Sequence, residues 1–515
     1  MSKKVIAAID VGSHALRMKI GEINKAGNFK ELENFRKIAV LGHDTFTKGK
    51  LSFDSVDKVC DLLKLFKKSF DDYGVEHYEA KATSAIREAS NRDYIIDQIR
   101  LKTGLEIEVI SNSEEQFLTH KAIREKLENY STIINEGAVI VVVGAGSIQI
   151  TTYKDGELQS SQNVKMGALR IREVFCDMED SVLDYNKLID EYIGTNLEGV
   201  DFFSQSESYK HLIAVGGEIS IIMKIIEEKY GEDTENLTKK QFNKLFKKLI
   251  DMTREEIEDT FHIKRERADI IIPSMMLFRK FLLKVDNDKI ITPRISLTDG
   301  IIRSIHEDLS ESRMSDENIH AVVTNARVLA KKFHYNSQHS NKVESLAIIL
   351  FDKLKKLHGL EEERILLQVA AVLHDVGKII SLDQHYKHSY DIIRSLEIFG
   401  MSEEQMEMVA NIACYHSMVK PTDSDINFVS LPRHMKAKVA KLVAILRLAD
   451  ALDRSHKGKI SIRSCKLKEK SLIINGVSNV NVDTNLEEWT FRKKADFFVE
   501  VFGVTATLKI IREFE

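Results

Sequence analysis

The sequence predicts an α/β region followed by an all-α region and a small α+β cap. Three observations predict it. Strand and helix patterns alternate up to about residue 310, as in α/β proteins. A strand–turn–strand layout occurs twice, at residues 5–23 and in GAVIVVVGAGSIQITTY. Past residue 315 the texture changes to long runs such as AVVTNARVLAKKF, HSNKVESLAIILFDKLKKLH and EEERILLQVAAVLHDVG, with the apolar spacing of amphipathic helices.

Taken in order, VIAAID reads as a strand buried on both faces, because it does not alternate. The turn VGSHA and the strand LRMKIGEI follow. A helix is expected over 55–73, a strand running into KATSAIREASN, and a helix from Arg92 to Thr103. The strand EIEVIS leads into an acidic turn, Ser113-Glu114-Glu115, and a helix through Asn129. The second strand–turn–strand comes next. A third glycine turn, Val215-Gly216-Gly217-Glu218, follows the strand HLIAV and opens a helix, and the α/β region closes with RISLTDGIIRSIHEDL. The cap reads as two strands in KISIRSCKLKEKSLIINGV, a helix through Phe502 and a last strand, VTATLKIIREF. These readings divide the chain into 1–126, 127–312, 315–457 and 458–515.

Composition sets limits. The chain has 515 residues, too many for one ordinary core, and 43% hydrophobic with 30% charged residues is the balance of a folded protein. No uncharged apolar run is long enough for a membrane span. Asp10 interrupts the start too early for a secretory signal. Four scattered cysteines without a CxxC pair predict a reduced, cytoplasmic protein with no cysteine-ligated metal. The net charge of −4 conceals a basic stretch, 433–470, with 12 Lys and Arg against three acids. Such a stretch suits a chain of phosphates, or else forms a solvated helix face followed by exposed strands. It lacks the interleaved aromatics of a nucleic-acid module, so no specific nucleic acid is expected.

The glycine turns are the first candidates for chemistry. Successive backbone N–H groups in Gly12-Ser13, in Gly144-Ala145-Gly146-Ser147 and in Gly216-Gly217 can form donor nests for phosphate. Asp10 adds a carboxylate where Mg²⁺ bridging phosphates can sit. Arg87 reads as a phosphate clamp or an ion-pair residue. The Glu114-Glu115 pair reads as a general base for water or as acidic residues at a helix start.

AIDVGSHALRM, KATSAIREASN, VISNSEEQF, GAGS, KMGALRIREVF, AVGGEIS and ERADIIIPSMM, in that order and spacing, resemble the exopolyphosphatase/guanosine pentaphosphate phosphatase family. The resemblance implies two ribonuclease-H-like (actin-like ATPase) lobes with a cleft between them. It implies water attack on a terminal phosphoanhydride of polyphosphate or guanosine pentaphosphate, with Glu115 as base, Arg87 as clamp and the glycine turns as phosphate cradle. It also implies Mg²⁺ in that cleft and a homodimer. The sequence departs from the family at Val142 and Gln149, where carboxylates for the metal are usual. It departs again at His14-Ala15, Glu218 and Thr298-Asp299.

Ten of the 17 histidines fall between residues 314 and 460. His339, His374-Asp375 and Asp450 follow the His…His-Asp…Asp order of the HD phosphohydrolase superfamily, and imidazole with carboxylate suits Mn²⁺, Fe²⁺ or Zn²⁺. His385, His388, His416 and Lys378 are candidates for a second metal or for the phosphate, or else line a polar pocket. Lys378 shares the face of His374 if that helix continues through Gly377. HSNKVESLAIILFDKL, HYKHSYDII and LEEWTFRKKADFFVEVFG resemble the later part of long family members, so the resemblance spans nearly the whole chain. Three functions follow: hydrolysis in the N-terminal cleft, an HD-type metallophosphohydrolase acting on a nucleotide or phosphate ester, or a non-catalytic polyphosphate- or alarmone-binding regulator.

Overall fold

Each strand–turn–strand forms the centre of its own sheet. β1 (Lys4–Val11) and β2 (Ala15–Ile23) pair antiparallel around Gly12, and β3 (Phe29–Ile38) extends the meander. β4 (His77–Ala82) and β5 (Glu108–Val109) continue the sheet in parallel on the other side of β1, in the order β3-β2-β1-β4-β5. The second sheet repeats the plan. β6 (Ala138–Val143), β7 (Ile148–Lys154) and β8 (Glu157–Val164) form the meander. β9 (His211–Val215) and β11 (Lys289–Ile291) run parallel beyond β6, and β10 (Leu237–Thr238) closes the edge. The shared order makes the sequence repeat a structural duplication.

The structure, a computed structural model, describes residues 4–24, 28–179, 181–204, 208–230, 237–309, 316–468 and 470–513. They fall into two units, 1–315 and 316–515. The expected boundary at 312–315 lies outside the described residues. Within the first unit, β1 and β6 are almost wholly buried, as their unbroken apolar runs require. The helix Leu297–Leu309 follows the second sheet in the chain but packs on the first: Ile301, Ile302 and Ile305 meet Ile6 and Ala8 of β1 and Leu118 of the helix Asn112–Lys126. The stretch 127–312 thus returns its last helix to the first lobe, because that apolar face completes the core over β1. Gly300 permits the approach, since a Cβ there would lie 2.1 Å from the Leu118 carbonyl oxygen.

The second unit is helical to Ala451, with helices Asp316–Lys332, Ser337–Lys353, Arg364–Leu373, His385–Ser395, Glu403–Cys414 and Arg433–Ala451. β12 (Ser461–Lys468) pairs antiparallel with β13 (Ser471–Asn479), and the helix Asn485–Phe502 crosses over to β14 (Thr505–Glu513), parallel to β13. That crossover helix packs on Arg433–Ala451, which joins the cap to the helical region. Among the described residues no helix is long and apolar enough to cross a membrane.

Candidate functional site

In the first unit a cleft of about 720 Å³ is lined by Asp10, by the turns Gly12-Ser13, Gly144–Ser147 and Gly216-Gly217, and by Glu115. The turns leave the C-terminal ends of β1, β6 and β9, where parallel strands leave backbone N–H groups to be satisfied. They also approach one another closely. Ser13 Oγ lies 2.7 Å from Ser84 Oγ, and a Cβ on Gly146 would lie 2.6 Å from that same Ser84 oxygen. Gly216 has φ 145°, and a Cβ there would lie 2.4 Å from the Val143 carbonyl oxygen, so only glycine fits.

Arg87 does not line this cleft. Its guanidinium donates to the Ile110 carbonyl (2.8 Å), to Glu115 Oε2 (3.1 Å) and to Asn112. This is the ion-pair arrangement of the two readings, and it holds Glu115 at the cleft wall. Asp10 is buried, and burial raises its carboxyl to about 6 against the pull of Arg17, 3.5 Å away, with Glu115 adding to the rise.

The residues present do not suit Mg²⁺ in the cleft. Val142 and Gln149 are cross-strand neighbours of β6 and β7, so no carboxylate stands where the resemblance implied two. The six carboxylates that line the cleft each face a lysine or arginine. Asp10 faces Arg17, Glu115 faces Arg87, Glu218 faces Arg267 (3.6 Å), Glu227 faces Arg294, Glu228 faces Lys224 (3.5 Å) and Asp299 faces Lys19 (2.5 Å). Among the described residues, groups of three metal-ligating atoms occur only in the second unit.

There His339, His374, Asp375, Asp450 and His416 meet in a buried cluster, with His385 half-buried at its edge. His339 Nε2 lies 3.2 Å from His374 Nε2, 3.4 Å from Asp450 Oδ1 and 3.7 Å from Asp375 Oδ2. On the other side of Asp375, Oδ1 lies 3.5 Å from both His385 Nε2 and His416 Nε2. Each Nδ1 is committed elsewhere: His374 to the Ala371 carbonyl, His416 to Ala413, His385 to Leu382 and His339 to Asp453 Oδ2 at 2.8 Å. Every Nε2 is thereby turned inward, as metal-ligating imidazoles require. This donor set fits a divalent transition metal.

Burial and charge pairing set the electrostatics of the cluster. Burial pushes His374 down to about 3, so it is neutral. Burial also opposes charge on His339, but hydrogen bonds to Asp450 and Asp453 outweigh it and raise the imidazole to about 9. Asp450 sits well below the usual carboxylate range despite burial, because Lys494 and His339 hold it ionised. Lys494, itself buried, donates to Asp450 Oδ2 and to the His416 carbonyl (2.8 Å).

Two expectations are corrected in this unit. The helix bearing His374 stops at Leu373, and a 3₁₀ turn, Val376–Ile379, carries Lys378 onto Asp375. Gly377 lets the turn pack closely on the next helix, since a Cβ there would lie 2.2 Å from the His385 carbonyl. That packing brings His385 Nε2 to 3.5 Å from Asp375 Oδ1, and neither His385 nor half-buried His388 enters the groups of three metal-ligating atoms among the described residues. Three participants were missed: Asp453, Lys494 and His456, whose ring stacks on His339 at 3.6 Å and 3°. The spacing of Asp450, Asp453 and His456, three residues apart each time in ADALDRSH, is a signal that could have found two of them. Part of the basic stretch 433–470 is committed within the unit. Lys438 pairs with Glu363, Lys459 with Glu487 and Arg463 with Glu513, and buried Arg447 donates to the carbonyls of Tyr415 and Val419.

The sequence profile of the Ppx/GppA phosphatase family matches residues 22–309, and that of domain III of the same family matches residues 323–495. The chain belongs to the Ppx/GppA phosphatase family. Membership makes it an enzyme that acts on phosphoanhydride bonds. It is 23% identical over 416 residues to a guanosine-5'-triphosphate,3'-diphosphate pyrophosphatase of Vibrio vulnificus, covering 79% of each chain. It is 24% identical over 317 residues to a bifunctional 3-dehydroquinate synthase/phosphatase of Fusobacterium nucleatum, a match that covers 58% of this chain and 46% of that protein. Its fold is similar to that of an exopolyphosphatase from Cytophaga hutchinsonii, with TM-score 0.55 and 22% identity over 59% of this chain and 98% of that one. A Ppx/GppA family member from Aquifex aeolicus gives TM-score 0.50 and 24% identity over 61% of this chain and all of that one. The likeness to these structures lies in the actin-like α/β fold.

Proposed function

We propose that the N-terminal cleft hydrolyses the terminal phosphoanhydride of inorganic polyphosphate or of guanosine pentaphosphate. The observation that carries this reading is the Arg87–Glu115 pair, which pins one carboxylate at the wall of a cleft lined by three glycine turns. Glu115 takes the proton of the attacking water. Water oxygen bonds to the terminal phosphorus as the bridging P–O bond breaks, and the shortened chain leaves as a phosphate anion. Backbone N–H groups of Gly12-Ser13, Gly144–Ser147 and Gly216-Gly217 hold the oxygens whose charge grows. The test is release of inorganic phosphate from each substrate by the full chain. Release abolished by Glu115→Gln supports the reading, and release that Glu115→Gln leaves intact refutes it. A cytoplasmic homodimer belongs to the same reading, and size-exclusion chromatography with light scattering tests the pairing.

The His/Asp cluster favours a second reading, an HD-type metallophosphohydrolase in the second unit with the cleft used for ligand binding. His339, His374, Asp375 and Asp450 would hold one Mn²⁺, Fe²⁺ or Zn²⁺, and Asp375 with His385 and His416 a second. A bound metal supplies an activated water and polarises a phosphoryl oxygen. The chain's own contribution is to fix each imidazole through Nδ1 and to keep Asp450 ionised through Lys494.

A further inference from the structure

One corner of the N-terminal cleft gathers three arginines around a histidine whose ring has no hydrogen-bond partner. His14 is only 8% exposed, lines the cleft, and has no hydrogen-bond partner for either ring nitrogen. Burial, then Arg267, Arg36 and Arg17, push its imidazole down to about 4. It therefore stays neutral and keeps one N–H to donate. A Cβ on Gly217 would lie 3.5 Å from Arg17 Nη2 and 3.7 Å from Arg267 Nη1, so two guanidiniums flank the glycine that opens the helix Gly217–Tyr230. Arg36, exposed on β3, lines the same cleft. Desolvation at the cleft rim, then Arg267 and Arg17, bring its guanidinium down to about 10 against the pull of Glu218. Free backbone N–H groups at the helix start add to the positive potential.

We propose that His14, Arg17, Arg36, Arg267 and the first turn of the helix Gly217–Tyr230 bind the phosphoryl oxygens of the substrate directly, with no divalent cation bridging them to the protein. The inference rests on the reading that this cleft takes a phosphoanhydride. Its independent support is that all six cleft carboxylates already face lysine or arginine, and that Val142 and Gln149 supply none. Guanidinium suits this work because its planar fork matches phosphoryl oxygens two at a time. A neutral imidazole adds a donor without adding to the repulsion among the arginines.

Calorimetric titration of the full chain with inorganic tripolyphosphate, in EDTA and in excess Mg²⁺, tests the proposal. Binding in EDTA should be no weaker than in Mg²⁺. In EDTA, Arg36→Glu should weaken it by about ten- to a hundred-fold and His14→Ala by about ten-fold. Arg36 is exposed, so its variant keeps the test informative should His14→Ala fail to fold. Binding that appears only with Mg²⁺, or an Arg36→Glu protein that binds like wild type, overturns the proposal. Phosphate release followed in parallel separates the two readings. EDTA-resistant binding weakened by Arg36→Glu but without release would end the hydrolytic reading and leave this one. Glu115-dependent release with Mg²⁺-dependent binding would do the reverse.

Discussion

Lys494→Met probes the buried centre of the second unit through its charge balance. Lys494 and Asp450 are both nearly inaccessible, with side chains 2% and 4% exposed, and their contact is direct. Methionine fills the same space without the cation, leaving Asp450 buried opposite fewer positive groups. Breaking one side of such a pair costs about 3–5 kcal/mol. In a unit the size of 316–515 each kcal/mol moves the melting temperature by about 2–4 °C, so the metal-free variant should melt some 6–20 °C lower (about 3–5 kcal/mol at that slope). A divalent metal bound at His339, His374 and Asp450 would replace the missing positive charge. Mn²⁺ should therefore stabilise the variant more than wild type and close at least half of the gap. Circular dichroism melts of the full chain in EDTA and in Mn²⁺ measure both quantities. Equal melting in EDTA, or a deficit unchanged by saturating Mn²⁺, would refute the reasoning.

Four further outcomes follow, three from the same centre and one from the first unit. Asp453→Asn removes the anion on His339 Nδ1 and should weaken Mn²⁺ binding by about 10–100-fold in a calorimetric titration. His339 is raised to about 9, so in the metal-free protein it contributes stability that is full below its unfolded value near 6.5 and is lost as pH rises through about 9. Urea denaturation in EDTA from pH 6 to 10 should show that loss in wild type and not in His339→Gln. Because a metal must displace this proton, Mn²⁺ affinity should rise about ten-fold per pH unit up to about 9. Gly300→Ala, which sets a Cβ 2.1 Å from the Leu118 carbonyl oxygen, should destabilise the first unit by about 1–3 kcal/mol, read as a lower urea midpoint.

The buried strands were legible because an unbroken apolar run beside a glycine turn has few other uses. β3 and β8 were not, since FKELENFRKI and ELQSSQNV are largely polar and partly exposed, and only pairing with a meander makes them strands. Arg87 was legible as a clamp or an ion-pair residue, but its partners were not. Its partners Ile110, Asn112 and Glu115 are more than 20 positions away, and only the parallel β4–β5 pair brings them together. His339, His374, Asp375 and Asp450 were found by their order. Lys494 carried no signal, because a lysine in a helix rich in charge reads as solvated until the fold buries it against Asp450. Lys378 reached Asp375 by a turn and not by a helix face, a detail that the residue order alone does not show.

The central claim is that Glu115 in the N-terminal cleft performs the hydrolysis. The most direct measurement is the rate of phosphate release from polyphosphate by wild type, Glu115→Gln and Asp375→Ala side by side. Glu115→Gln should lower kcat by about 10²–10⁴-fold, while folded Asp375→Ala retains release. Full release by Glu115→Gln together with its loss in folded Asp375→Ala would contradict the account and assign the chemistry to the His/Asp centre.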